Sequence, residues 1–194
     1  MLPCALFPEN ADLNSLFRSP ALQIRNDWSG NPVPFNVDFY FGHNRQKLFF
    51  GAVVEHPPVL APRLTSDSFV EGLWNYDVLE LFLKDDHSDS YQEFNLSPDR
   101  RWWSSVFRTY RIRDEEHFRR LVPEVGGIYE QSRFRAGITI PRDELSVSFG
   151  VQASCANIAA IFGMEPRCYL SYHRAATAHP DFHRPECMQP ITPA

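Results

Sequence analysis

The stretch GLWNYDVLELFLKDDHSDSYQEFNLSPDRRWWSSVFRTYR, residues 72–111, decides the fold. It predicts three consecutive β-strands, at 78–83, 91–96 and 101–110. A polar loop at 84–90 separates the first two strands. The Ser-Pro-Asp-Arg segment at 97–100 forms the next turn, because proline presets φ and aspartate tolerates turn geometry.

Alternation along these strands separates an apolar face from a polar one. Leu79, Leu81 and Leu83 share one face of the first strand, and Phe94 and Leu96 share one face of the second. Matching these apolar sets fixes the register, because a slip of one residue would send them to solvent. The other face then carries Val78, Glu80, Phe82, Tyr91, Glu93 and Asn95. Trp102 and Trp103 point to opposite faces of the third strand, and the pattern leaves open which of them joins Glu80.

The rest of the chain predicts more strands and one helix. Further strands are predicted at 21–25, 35–41, 47–55, 134–140, 147–155 and 167–173. Residues 114–121 are the best helix candidate, since Asp114 can cap it and arginines stand near its end. Strands do not alternate with helices as they do in Rossmann or barrel folds. Seven to ten strands with frequent turn signals predict an all-β fold, a single β-sandwich domain over 1–194, jelly-roll or immunoglobulin-like, with one short helix.

Composition narrows the classes of partner. The formal net charge is −5 and no basic block stands out, so we expect no nucleic-acid partner. No stretch is long and apolar enough to cross a bilayer, and the first residues lack the basic region of a signal peptide. We therefore expect a cytoplasmic protein with no membrane partner. The 4 cysteines form no CxxC pair, which favours reduced thiols that serve mainly in packing.

Several short motifs share an order and spacing with a known family. These are Gly72-Leu73-Trp74, then Asp77, Val78 and Glu80, then Tyr91-x-Glu93-Phe94-x-x-Ser97-Pro98. Together they resemble the DOMON-like superfamily and, within it, domains similar to the family-9 carbohydrate-binding modules. The closing segments at 169–173 and 180–185 also resemble bacterial DOMON-like proteins. The resemblance covers roughly residues 35–188.

The resemblance implies a non-catalytic β-sandwich that binds a sugar or another polar small molecule on one sheet. In sugar-binding members, a Trp six residues before a Glu stacks on the sugar, and the Glu accepts hydroxyl hydrogen bonds. Trp74 and Glu80 match that pair, Glu93 and Asn95 match a polar pair on the next strand, and Gln152 resembles a late glutamine. Glu93 stands where relatives can have a basic residue.

One departure concerns the second stacking Trp of the family, because no Trp follows Trp103. Tyr169, Tyr172 or Phe182 are the candidate substitutes. The predicted ligand-binding set is therefore Trp74, Glu80, Glu93, Asn95, Trp103, Gln152, Tyr172 and His173, with Trp103, Tyr172 and His173 at the rim. We expect no cofactor and no metal ion.

The residue chemistry supports a ligand face without the resemblance. Sugar C–H faces lie flat on aromatic rings, and hydroxyls hydrogen-bond to planar carboxylates and amides, so such a site needs both on one concave surface. The plainer structural interpretation is that Trp74 plugs the end of the sandwich while Glu80 and Glu93 are solvated.

Other functions remain open on the sequence. Glu80 and Glu93 are also a candidate glycosidase pair. The tail holds metal-ligand residue types, Cys168, His173, His179, His183 and Cys187. Met164 and Met188 are the internal methionines that a haem-binding DOMON domain would use. A further alternative is an intracellular structural or interaction domain without a small ligand.

Overall fold

The protein is described by a computed structural model that covers residues 1–63, 68–116, 121–150, 154–163 and 165–194. The strands are β1 Leu2–Leu6, β2 Leu22–Gln23, β3 Val37–His43, β4 Lys47–Val54, β5 Val78–Asp85, β6 Tyr91–Leu96, β7 Trp102–Thr109, β8 Ile112–Arg113, β9 Glu124–Tyr129, β10 Phe134–Pro141, β11 Ser154–Phe162, β12 Cys168–Ser171 and β13 Gln189–Pro193. The helical elements are α1 Leu13–Leu16 and 3-10 turns at Leu73–Asn75, Arg142–Glu144 and Pro185–Cys187.

These strands form one curled sheet, a half-barrel, in the order β8-β7-β6-β5-β11-β13-β1-β3-β4-β10-β9. β12 pairs with β11 and β2 pairs with β3, off this path. β1 connects the two halves, because Leu2 to Cys4 run parallel to β13 while Ala5 and Leu6 run parallel to β3. The predicted β-sandwich is compatible with this arrangement, since the curl lets the two halves share one core.

The three strands of the opening stretch have the register that alternation predicts. Leu79 lies opposite Leu96, and Leu81 lies opposite Phe94. β6 matches its predicted bounds, β5 continues to Asp85, and β7 spans Trp102–Thr109. The predicted pairing of the apolar sets is therefore confirmed.

The main core lies on this apolar face, between the two halves of the sheet. Leu79, Leu81 and Phe94 pack there in one cluster with Phe50 and Ile138 of the opposite half. Trp102 joins this core, whereas Trp103 belongs to a second buried cluster on the other face. The structure thus places Trp103, not Trp102, on the Glu80 face.

The predicted strand at 147–155 is largely wrong. Residues 146–150 are irregular, and residues 151–153 lie outside the described part of the chain. β11 instead begins at Ser154 and runs to Phe162, with every residue buried. A strand buried on both faces shows no alternation, so its sequence gave no period to detect. Cys155 on this strand belongs to the second cluster and not to the main core.

Strands β1, β8 and β9 were not predicted, because their partners are distant in sequence or their sequences are short or unusual for strands. β1 contains a proline and pairs with β3 and β13, far along the chain. β9 contains Gly126 and Gly127, which lower strand propensity. β13 belongs to the proline-rich tail and lies between β11 and β1.

The predicted helix and the described helix lie in different parts of the chain. The candidate helix at 114–121 falls in part on residues 117–120, outside the described residues. The short helix that is described, α1, is capped by Asp12, whose carboxylate accepts from the Ser15 amide at 2.9 Å. Across the described ranges, helices are too short and too polar to cross a bilayer.

Candidate functional site

Strand pairing aligns the polar residues in rows across the face opposite the main core. One row runs Trp103, Asn95, Glu80 and Ala159, across β7, β6, β5 and β11. The next row contains Glu93, which lies opposite Phe82. Glu80 and Glu93 are therefore diagonal neighbours on adjacent strands, a separation of about 7–8 Å between backbones that long side chains span.

A cavity of about 450 Å³ opens over these rows. Its aromatic lining is Trp74, Trp103, Phe107, Tyr169 and Phe182. Its charged and polar lining is Glu80, Glu93, Arg111, Arg113, Arg167, Asp181 and His183. Four of the eight sequence-predicted residues, Trp74, Glu80, Glu93 and Trp103, thus line one cavity.

The other four predicted residues lie elsewhere. Asn95 is fully buried beneath the cavity, where its Nδ2 donates to Glu93 Oε1 at 2.9 Å. Tyr172 packs against the main core, and its ring meets the His173 ring edge to face at 5.0 Å. Neither Tyr172 nor His173 is among the residues that line the cavity. Gln152 lies outside the described residues.

Two tryptophans form the aromatic wall nearest Glu80. The rings of Trp74 and Trp103 meet edge to face, with centroids 5.2 Å apart and planes at 70°. Trp74 is half-buried on the 3-10 turn Leu73–Asn75, and Trp103 is buried on β7. Tyr169 and Phe182 line the same cavity, so two of the three candidates for the missing Trp contribute rings to it.

Glu80 is a buried carboxyl without a protein partner. Its exposed fraction is 3%. Its row neighbour on β11 is Ala159, whose methyl group offers no donor. Across the described residues, no hydrogen bond or ion pair reaches the Glu80 carboxyl, while Glu93 is held by Asn95. Burial, and then the nearby Glu93 carboxylate, raise the pKa of Glu80 well above its usual range.

Glu93 is buried as deeply but is partly held by its neighbours. Besides the Asn95 contact, its Oε2 lies 3.7 Å from His183 Nε2. Burial raises the pKa of Glu93 to about 7, although the Asn95 hydrogen bond and the Arg113 and Arg111 guanidinium groups act against that rise. The two carboxyl groups therefore share a site in which full ionisation of both is unfavourable.

His183 reaches this site from the tail. The Arg111 amide donates to the Tyr91 hydroxyl at 3.1 Å, and that hydroxyl lies 2.8 Å from His183 Nδ1. When Tyr91 donates to Nδ1, the ring carries its proton on Nε2, which faces Glu93. Burial, and then the Arg111 charge, lower the pKa of His183 to about 4, so the ring is neutral near neutral pH.

Three arginines stand at the cavity, and each makes an ion pair or a hydrogen bond, although the buried Nε of Arg167 has no hydrogen-bond partner in the described part of the chain. Arg111 pairs with Asp181 at 2.8 Å, and Arg113 pairs with Glu71 at 2.6 Å. The Arg113 guanidinium also lies over the Trp103 ring, 4.9 Å from its centroid. Arg167 Nη2 donates to the main-chain oxygen of Trp74 at 2.6 Å.

Sequence reasoning did not assign Arg111, Arg113, Arg167 or His183 to the ligand site. His183 was noted only as a candidate metal ligand in the tail. The sequence carried only indirect signals that these residues belong to the site. Arg113 lies on a two-residue strand beside β7, and His183 lies within the tail motif of the resemblance. Nothing in a local pattern says that the tail folds over β5 and β6.

The metal-ligand residue types of the tail do not come together. His183 faces Glu93 and Tyr91, and the Cys187 thiol lies 3.7 Å from the main-chain oxygen of Asp181. Among the described residues, no three His, Cys, Asp or Glu side chains are grouped to hold a metal ion. For the haem alternative, Met188 is packed in the second cluster, and Met164 lies outside the described part of the chain.

Comparison with known proteins gives likeness in fold. No family model matches the chain, and no curated protein matches its sequence. A proposed carbohydrate-binding protein from Bacteroides uniformis superposes with a TM-score of 0.73 at 14% identity, covering 97% of this chain and 96% of that one. A family 9 carbohydrate binding module from Caldicellulosiruptor kristjanssonii, in complex with cellotriose, gives 0.60 at 10% identity, covering 97% and 88%. The same organism's module in complex with glucose gives 0.59 at 11% identity, covering 97% and 90%. The chain therefore shares its fold with these structures over nearly its whole length.

Proposed function

We propose that the protein is a non-catalytic carbohydrate-binding module whose site is the cavity over Glu80 and Glu93. The observation that carries the proposal is the buried Glu80 carboxyl, which faces an aromatic-walled cavity without a hydrogen-bond partner among the described residues. A buried polar group left unpaired costs free energy, so such a group at a cavity wall favours a ligand that supplies the missing donor.

The proposed assignment of roles follows from position. Trp74 and Trp103 offer ring surface to the C–H faces of a sugar, and Glu80 and Glu93 accept from its hydroxyl groups. Asn95 acts through Glu93, by orienting that carboxylate. The volume of about 450 Å³ falls in the range of about 300–1,000 Å³ that is usual for small-ligand sites.

The solved structures of the same fold include proteins described as carbohydrate-binding. One is a proposed carbohydrate-binding protein, and two are family 9 modules, in complex with cellotriose and with glucose. Because identity is 10–14%, this support concerns the fold alone, and the choice of a sugar rests on the chemistry of the cavity wall.

A thermal-shift screen with mono- and disaccharides, followed by tryptophan fluorescence titration, tests the proposal. A ligand at about 100 times its Kd adds about 2.7 kcal/mol to the free energy of unfolding. We expect a sugar to raise the melting temperature and change the emission, and Trp74→Ala to remove both effects. Tyr129→Ala, which removes an exposed ring on β9, is the matched control and should bind normally. A panel with no binding sugar overturns the proposal and favours a structural or interaction domain.

The raised carboxyl pKa values favour one second candidate, a glycoside hydrolase. A general acid needs a carboxyl with a raised pKa, and burial raises the pKa of Glu80 well above its usual range. Chromogenic glycosides test this activity directly. Turnover that Glu80→Gln and Glu93→Gln both abolish would establish the enzyme, whereas sugar binding without turnover supports the module.

A further inference from the structure

Arg111 is one of two non-glycine residues in the described chain with a left-handed backbone, at φ 57°; the other is Arg100, at φ 71°. This conformation is unfavourable for a residue with a Cβ atom, and glycine is the usual residue there. Arg100 is exposed in the turn before β7, whereas Arg111 lines the cavity. Strained backbone persists where surrounding contacts require it, so the contacts of Arg111 indicate its role.

The guanidinium of Arg111 holds the tail to the turn between β7 and β8. Its Nη2 donates to Asp181 Oδ1 at 2.8 Å, and the hydroxyl of Tyr110 donates to Asp181 Oδ2 at 2.6 Å. Arg184 Nε donates to the same Oδ2 at 3.2 Å, from within the tail. Residues 180–183 line the cavity, and we call them the tail wall. The Arg111 side chain therefore joins this wall to the sheet.

The main-chain amide of Arg111 acts on the same wall by a second route. It donates to the Tyr91 hydroxyl at 3.1 Å, and that hydroxyl lies 2.8 Å from His183 Nδ1. Because the Tyr91 oxygen accepts from Arg111, its own proton is free to be donated to His183. The His183 ring also packs edge to face on Phe107, with ring centroids 5.1 Å apart. His183 Nε2 then lies 3.7 Å from Glu93 Oε2.

The backbone of Arg111 directs both contacts. Because φ is the rotation about the N–Cα bond, it sets the direction of the amide relative to the side chain. At φ 57° the amide reaches Tyr91 on β6 while the guanidinium reaches Asp181 in the tail. We propose that Arg111 is a positioning residue for the tail wall, and that its left-handed backbone is retained because it directs these two contacts. This inference rests on the proposed carbohydrate-binding function and adds the residue that fixes the tail side of the site.

The tail wall matters to a ligand because it completes the cavity. It contributes the ring of Phe182 and the ring nitrogen of His183 that faces Glu93. If the wall moves away, both are lost, so sugar binding should weaken although the carboxyl pair, Glu80 and Glu93, is unchanged.

Loosening of the tail is measurable without a sugar. The tail has main-chain hydrogen bonds of its own, since the Cys187 amide donates to the Arg184 carbonyl oxygen at 2.9 Å and the Met188 amide donates to the Pro185 carbonyl oxygen at 3.0 Å. Amides of a segment that opens locally exchange faster with solvent. Hydrogen exchange of peptides covering 180–188 therefore reports whether Arg111 holds this segment.

Arg111→Gly and Arg100→Gly are a matched pair, because each replaces an arginine of positive φ with glycine. Arg100→Gly only relieves strain, so it should melt no lower than the wild type and bind sugar normally. Arg111→Gly relieves strain but loses the Asp181 contact, so its melting temperature should stay within about 3 °C of the wild type. Its tail peptides should nonetheless exchange about tenfold faster, while peptides of β5 and β6 stay unchanged.

Sugar affinity is the second readout, measured on the full chain by isothermal titration calorimetry. The probes are D-glucose and cellotriose, the sugars bound in the family 9 structures of this fold. We expect Arg111→Gly to weaken binding about tenfold and Arg100→Gly to leave it unchanged.

Tyr91→Phe tests the amide route, because it removes the hydroxyl between Arg111 and His183 and keeps the ring. It should also speed exchange of the tail peptides and weaken binding. If both routes hold one wall, the Arg111→Gly and Tyr91→Phe double variant should lose much less affinity than the product of the two single losses. If Arg111→Gly fails to fold, Tyr91→Phe provides the test.

The outcomes separate this proposal from the carbohydrate-binding function. Wild-type exchange of the tail peptides in Arg111→Gly overturns the positioning role, whatever the sugar results. Faster tail exchange with unchanged sugar affinity also overturns it, because the tail wall then plays no part in binding. If neither sugar binds the wild type, hydrogen exchange alone decides whether Arg111 positions the tail, and the wider sugar panel decides the carbohydrate-binding function.

Discussion

The Arg167 side chain is hydrogen-bonded to the main chain of Trp74, since Arg167 Nη2 donates to the Trp74 carbonyl oxygen at 2.6 Å. The same nitrogen lies 3.5 Å from the Tyr76 carbonyl oxygen. Arg167 thereby holds the short turn that presents the Trp74 ring, although it follows that turn by 93 positions in the chain. Arg167 is a positioning residue for the aromatic wall.

Replacing Arg167 with methionine should loosen that wall. The variant keeps an apolar stem but loses both main-chain hydrogen bonds, so we expect a stability loss of about 1–2 kcal/mol. Sugar affinity should fall about tenfold because Trp74 is no longer held, and tryptophan emission should shift to the red. Urea unfolding and fluorescence titration measure these effects. Arg45→Met is the control, since the Arg45 side chain is 92% exposed; an Arg167 variant that behaves like it would refute the positioning role.

Trp74 and Trp103 should respond differently to truncation. Trp103 is 4% exposed and packs in the second cluster, so Trp103→Ala should cost about 3–5 kcal/mol in the free energy of unfolding. Trp74 is half-buried, so Trp74→Ala should cost less than about 2 kcal/mol while abolishing sugar binding. Denaturant unfolding of both variants makes the comparison. Equal, large losses would mean that Trp74 is a structural plug.

Glu93 should make the folded protein less stable as pH rises. Its pKa is about 7 in the folded state against an ordinary value of 4.5, so between these values only the folded state holds the proton. Stability therefore falls from about pH 4.5 to about pH 7, by up to about 3 kcal/mol. Glu93→Gln should remove most of this fall when the free energy of unfolding is measured across the window. A wild-type and a variant curve of the same slope would show that Glu93 titrates normally.

His183 should act in the opposite direction over an overlapping range. Its pKa is lowered from 6.5 to about 4, so below about pH 6.5 the unfolded chain takes up a proton that the folded protein does not. The contribution of His183 is therefore present above pH 6.5 and is lost as pH falls towards 4. His183→Gln should remove this acid-side loss and steepen the decline that Glu93 causes. Parallel pH–stability curves for the variant and the wild type would contradict the burial of a neutral His183.

Local sequence predicted the strands whose partners are adjacent in the chain. β5, β6 and β7 follow one another through short connections, and alternation sets their register, so Glu80, Glu93 and Asn95 could be placed on one face before the structure was known. β11 could not be found this way, because it is buried on both faces and has no period. β1 could not be found either, because its pairing joins distant segments.

The site was predictable to the same extent as its strands. Trp74 and the carboxyl pair lie within one continuous stretch, and their spacing carried the family resemblance. Arg167 and His183 reach the cavity through tertiary folding of the tail, which no spacing rule describes. Tyr172 and His173 were predicted to line the rim, but Tyr169 on β12 lines the cavity, while Tyr172 contacts the main core.

Ala159 is the reason that β11 offers the Glu80 carboxyl no side-chain donor. It stands directly opposite Glu80 on β11, and its methyl group neither fills the cavity nor offers a donor. A serine or asparagine at this position would bring a donor towards the carboxyl from within the protein, and Glu80 would then have a hydrogen-bond partner on the neighbouring strand. Under the proposed function, the residue opposite Glu80 on β11 therefore bears on ligand binding as directly as the carboxyl itself.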